Sequence, residues 1–142
     1  MLRILAAAAL AGTLSLAVAA PALAADIVGR WRTPGAGGEV ELYRCGAQVC
    51  GKLISSAHIA KDPALADLKN KDEAKRARKL KGLTILEGFT GGPTEWKGGK
   101  VYNPEDGNTY SGTITATDAN TLKLKGCVVA PLCKTQVWTR IR

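Results

Sequence analysis

Trp96-Lys-Gly-Gly-Lys-Val-Tyr-Asn-Pro-Glu-Asp-Gly-Asn-Thr-Tyr-Ser111 is the stretch whose reading decides the fold. Two short runs, Lys100 to Asn103 and Asn108 to Ala116, flank Pro104-Glu105-Asp106-Gly107. Proline pre-sets φ for the first corner of a type I turn, and Gly107 can take the left-handed conformation that closes it. The runs are rich in Val, Tyr, Thr and Ile, residues that suit a pleated, half-buried surface. The segment therefore predicts a β-hairpin, and the chain around it an antiparallel β protein.

Upstream, Ile27 to Thr33 reads as a first strand, broken by Pro34-Gly-Ala-Gly-Gly38. Glu39 to Arg44 alternates with Val40 and Leu42 inward, Cys45-Gly-Ala-Gln turns the chain, and Val49 to Ser55 returns. Gly82 to Phe89 resumes as a strand, followed by a Gly91-Gly92-Pro93 turn. Downstream, Tyr110, Gly112, Ile114 and Ala116 share one face. Asp118-Ala-Asn120 turns, and Thr121 to Gly126 places leucines inward and lysines outward. Cys127 to Cys133 reads as a constrained connection containing Pro131, and Lys134 to Ile141 as the last strand. The expectation is a mainly β chain forming a small antiparallel up-and-down barrel of about eight strands in sequential order.

The insertion at 57–81 differs in character. Asp62 before Pro63 suggests a helix start, and Asp72 to Leu80 is rich in helix formers without an apolar face. One or two short surface helices, or a loop, should cross one mouth of the sheet. Asp67, Asn70, Asp72 and Glu73 are dense enough to suggest calcium, but the required glycine and one-three-five spacing are missing, so no metal is expected.

Residues 1–24 read as a cleaved signal peptide: Arg3, an alanine-rich apolar run, then Ala22-Leu23-Ala24 before Ala25. The run is weakly hydrophobic and ends at a cleavage pattern, so the protein is not expected to be integral to the membrane. Residues 25–142 then form a single domain, exported to the periplasm. The chain carries a formal net charge of +8, part of it concentrated at Arg76, Arg78, Lys79 and Lys81. That segment is a candidate patch for an anionic envelope surface or a protein partner, against the plainer reading of a solvated face. Aromatics are not interleaved with the basic residues, which argues against nucleic acid.

Cysteines fall in two close pairs, Cys45 with Cys50 and Cys127 with Cys133. Export favours disulfides over thiolate zinc. Local pairing is the simplest of three connectivities, and bridges joining the two pairs remain the alternative.

Gly29-x-Trp31 near the start and Arg140 at the end resemble the lipocalin and calycin superfamily, in which an arginine of the last strand covers a first-strand tryptophan. Gly29, Trp31, Trp138 and Arg140 are accordingly assigned to barrel-end structure. Longer blocks resemble the bacterial family called domain of unknown function 2147. They are Gly29 to Pro34, Tyr43 to Gly46 with Cys50 to Leu53, Gly82 to Phe89, Trp96 to Tyr110, Leu124 to Cys127, and Lys134 to Arg140. The resemblance implies an exported lipocalin-like barrel. Asn70-x-Asp72 and Arg76-x-Arg78 keep that family's spacing, while Glu73 and Lys79 stand where it often has proline, which favours a helix.

No catalytic set assembles. His58 is the lone histidine, with Ser55 and Ser56 beside it, and there is no nucleophile elbow, Walker loop, dinucleotide fingerprint or haem motif. No cofactor is implied, and the chain is not expected to be an enzyme, with a hydrolase as the alternative. Trp96, Tyr102 and Tyr110 are the candidates to line a site for a small apolar or amphipathic ligand, since small barrels can hold one such molecule.

Overall fold

The structure, a computed structural model, describes residues 15–17 and 26–142. The expected leader therefore lies almost wholly outside the described residues. Eight strands follow one another: β1 (Gly29–Arg32), β2 (Glu39–Cys45), β3 (Gln48–Ser55), β4 (Thr84–Gly91), β5 (Glu95–Asn103), β6 (Asn108–Asp118), β7 (Thr121–Val129) and β8 (Leu132–Arg140). Each pairs antiparallel with the next, and β1 pairs with β8 to close the barrel. The expected up-and-down barrel is what the chain forms.

The period-two pattern accounts for most of the interior. Val40 and Leu42 on β2, Ile114 on β6, and Leu122 and Leu124 on β7 are all buried. Two of the departures from it shape the core around Phe89. Leu86 and Phe89 are both buried although three residues apart, with Gly88 at φ 78° between them. On the neighbouring strand the register shifts between Trp96 and Gly99, where Gly98 has φ 73°. These β-bulges turn Phe89 into the barrel. A Cβ on Gly99 would lie 2.3 Å from the Phe89 ring, and one on Gly112 would lie 2.7 Å from it. Two glycines thus make room for one phenyl group. With Trp31, Trp96 and Trp138 also buried, large side chains fill the barrel as a packed core.

Arginine and tryptophan close one end. The Arg140 guanidinium lies 4.3 Å from the centre of the Trp31 ring. It donates to the carbonyl oxygens of Ala119, Val28 and Asp26 at 2.8, 3.0 and 2.6 Å. Gly29 has φ 134°, and a Cβ there would approach Arg140 Nη1 to 2.8 Å, so glycine is required twice over. Gly29, Trp31 and Arg140 meet beside the β1–β8 pairing, while Trp138 is a core residue whose indole N–H donates to Gln136 at 3.1 Å.

Both disulfides are local: Cys45–Cys50 beside the β2–β3 turn and Cys127–Cys133 across β7 and β8. The second does not span a separate connection as expected. β7 and β8 continue through it, in register at Cys127 opposite Cys133 and Val129 opposite Leu132, with Ala130-Pro131 as the turn.

The insertion is short helix and loop, as expected, but its helix lies elsewhere than the sequence suggests. Its helix α1 (Ala57–Lys61) is capped by Ser56, whose hydroxyl accepts from the Ile59 amide, and it ends at Asp62. Asp-Pro therefore stops a helix rather than starting one, because the residue before proline is pushed out of the helical region. From Asp72 to Leu80 only a single 3-10 turn, Glu73–Lys75, forms. A short antiparallel contact holds the rest: Asp67 N donates to Arg78 O, and Leu80 N to Leu65 O. Helix propensity without an apolar stripe gives a helix nothing to pack, and the local backbone pairing wins.

Candidate functional site

The turn between β5 and β6 builds the site. Asn103 accepts twice, its side-chain oxygen from the Glu105 amide and its carbonyl from the Gly107 amide at 2.8 Å. The second bond spans five residues, one more than the type I turn expected, and Gly107 takes φ 72° as anticipated. Asp106 accepts from the Asn108 amide and from the Tyr110 hydroxyl. The turn residues are thus locked by their own side chains.

Gly107 also carries the insertion. A Cβ at this position would fall 1.8 Å from the Lys69 carbonyl oxygen, and Lys69 Nζ donates to Glu105 O at 2.9 Å. This contact delivers Asp67 to Tyr102. Asp67 is buried, with its side chain wholly shielded from solvent. It accepts from the Tyr102 hydroxyl at 2.5 Å, Asn70 Nδ2 at 2.8 Å and Arg78 Nε at 3.0 Å. Arg76 Nε caps the same loop by donating to Asn70 O. Burial pushes the Asp67 pKa up, but the three hydrogen bonds and the Arg78 charge outweigh it, leaving the group below its ordinary value. Burial and the same carboxylate push Tyr102 up to about 12.

Beside this cluster an open cleft of 620 Å³ runs between the insertion and the outer face of β4, β5 and β6. Lys71, Lys75, Arg78 and Lys100 bring positive charge to its walls, against Asp72 and Glu87, and Leu83 and Ile85 supply an apolar patch. Arg78 is held by Asp67, and Lys71, Lys75 and Lys100 have no carboxylate partner among the described residues. Such a cleft suits a small molecule with an anionic head and a short apolar body.

The three aromatic candidates do not converge. Trp96 is in the core, with its indole N–H lacking a partner among the described residues. Tyr110 pairs with Val101 on the inner side and packs over Gly126. Tyr102, one residue on, is on the outer side and lines the cleft. Alternation separates the two tyrosines, and the bulge between Trp96 and Gly99 puts Tyr102 on the opposite side from Trp96. The basic patch divides as well: Arg76 and Arg78 hold the insertion together, while Lys79 takes part in its backbone bridge to Ala66.

Asp67 escaped the sequence reading, which saw it only as part of a calcium-like run. Among the described residues no group of three His, Cys, Asp or Glu side chains converges, and the cation opposite Asp67 is Arg78. His58 is exposed on α1, and the Ser56 hydroxyl is engaged in capping.

Residues 29–140 match a family described as an uncharacterized protein conserved in bacteria, DUF2147. The chain belongs to that family. A solved structure of a protein from the human pathogen Helicobacter pylori, described as belonging to the lipocalin family, is similar in fold. Its TM-score is 0.75 at 24 % sequence identity, over 83 % of this chain and 84 % of that one. No curated protein matches the chain.

Proposed function

We propose that this lipocalin-like barrel is an exported, non-catalytic binding protein that holds a small amphipathic anion in the cleft beneath its insertion. One observation carries the reading: Lys71, Lys75 and Lys100 face a cleft that also offers Leu83 and Ile85. Charged and apolar groups in one cleft favour a ligand with both characters. The filled barrel interior moves the expected binding place from the core to this outer surface, and of the three aromatic candidates it retains Tyr102. Two local disulfides and a bacterial family support export, and with it a periplasmic location. The capping role of Ser56 and the exposure of His58 support a role without catalysis.

Thermal unfolding in the presence of dodecyl phosphate and of dodecyl maltoside, both below micelle formation, tests this. The anion should stabilise the protein, by about 2.7 kcal/mol at a hundredfold excess over its dissociation constant. The neutral amphiphile should not, and Lys71→Glu with Lys75→Glu should abolish the effect. Equal response to both amphiphiles, or an unchanged response in the double variant, refutes the reading.

A further inference from the structure

We propose that the tip of the β7–β8 hairpin is a membrane-docking device that seats one end of the barrel on an anionic lipid bilayer. In the barrel, the large apolar side chains about two-thirds exposed are Leu68, Val128, Val129 and Leu132, at 68, 68, 68 and 70 %. Three of the four cap one hairpin. Turns in an up-and-down barrel alternate between its ends, so the β7–β8 tip shares an end with the β5–β6 turn and with the insertion that carries Leu68. Exposed apolar side chains are ordinary when scattered and informative when gathered on one protruding edge.

Charge complementarity names the occupant. From Thr121 to Thr139 the two arms of this hairpin contain Lys123, Lys125 and Lys134 and no acidic side chain. Lys125 and Lys134 lie close behind the tip, Lys134 opposite Gly126 and Lys125 opposite Thr135. At the same end the insertion, residues 57–81, carries eight Lys and Arg side chains against four Asp and Glu. Apolar side chains in front of a basic collar match a bilayer, whose acyl boundary lies behind a layer of anionic headgroups. A protein groove would be expected to demand shape from the tip; here the apolar residues only protrude. The Cys127–Cys133 bridge holds the strands together immediately behind Val128 and Val129, so the tip is already ordered before it inserts and loses little conformational entropy in doing so. The apolar tip is separate from the cleft and does not depend on what the cleft holds.

Flotation of the chain from residue 25 onward, which contains every strand of the closed barrel, with phosphatidylcholine vesicles with and without phosphatidylglycerol tests the proposal. The protein should float with the anionic vesicles and remain behind with the neutral ones, and added salt should weaken the association. Val129→Ser with Leu132→Ser should reduce partitioning by about tenfold or more, and since both side chains are exposed the barrel should keep its melting temperature. Val129→Trp should show a blue-shifted emission only with anionic vesicles. Absence of flotation overturns the proposal. So does undiminished flotation of the Ser variant, which would leave the binding to the insertion lysines alone. A dimer that the Ser variant dissociates, in a protein that ignores vesicles, overturns it in favour of a second copy of the chain.

Discussion

Asp67 shows how one residue organises a surface. Its carboxylate sits among Tyr102, Asn70 and Arg78 with no exposure to solvent, and removing it leaves a cation and two polar groups without their acceptor. Asp67→Ala should destabilise the protein by about 2–3 kcal/mol, measured by urea unfolding. The same group sets a pH dependence. Its folded pKa lies below the ordinary value of 3.8, so its contribution is complete above that value and disappears as acid carries the pH through the folded one. Tyr102 works in the other direction: raised from 10.0 to about 12, it contributes fully below pH 10 and loses that contribution as the pH climbs toward 12. Melting temperature should therefore fall at both extremes, and Asp67→Ala should flatten both limbs. A profile unchanged by the substitution would mean that the cluster does not couple to folding. Little of this was legible in the sequence. Asp67 lies in a segment that reads as solvated, and its partner Tyr102 is 35 residues away, so no local pattern connects them. The usable signal was a tyrosine on the outer face of a strand, whose hydroxyl needs a partner when covered.

At the scale of elements, the insertion and the β5–β6 turn form one unit, and Gly107 is where they meet. The turn at Asn103-Pro104-Glu105-Asp106-Gly107 and its left-handed glycine were legible, although it closes over five residues rather than the four of a type I turn. What the sequence concealed is that this glycine is also the floor on which Lys69 rests. Gly107→Ala introduces a methyl group into the Lys69 carbonyl and places a side chain at φ 72°, at a cost of about 1–3 kcal/mol in strain alone. The cheapest relief is to release the insertion, since the strands on either side are held by their neighbours. Trypsin should then cut within Lys69 to Lys81 in the variant and spare the parent, while the barrel keeps its circular dichroism. Equal resistance in both proteins would show that the insertion is held without this contact. Its helix lies away from the segment richest in helix formers for a related reason: helical propensity from Asp72 to Leu80 had no apolar face to pack, whereas Ser56 and Pro63 together set the ends of α1 from purely local chemistry.

For the molecule as a whole, strand number, order and most inward faces could be read from alternation, because a one-sided strand repeats every two residues whatever lies across from it. The bulges at Gly88 and Gly98 could not, and with them went the position of Phe89 and the filled interior. A bulge is a decision between two strands, and a single strand's pattern carries no record of it. Closure is the remaining global feature, and it was legible only at its two ends, in Gly29-x-Trp31 and Arg140. β1 is the shortest strand, and its register with β8 rests on Trp31 opposite Arg140 and Arg32 opposite Thr139. The seam is thin, so the guanidinium that stacks on Trp31 and reaches three carbonyls from two segments should dominate its stability. An ammonium is a compact point charge and cannot reproduce a planar fork that stacks and donates in three directions at once. Arg140→Lys should therefore behave like Arg140→Ala, each losing about 2 kcal/mol, and hydrogen exchange should rise first at β1 and β8 while the β5–β6 pairing stays protected. If lysine restores parental stability, charge alone seals the barrel and the stacked, three-carbonyl geometry is incidental.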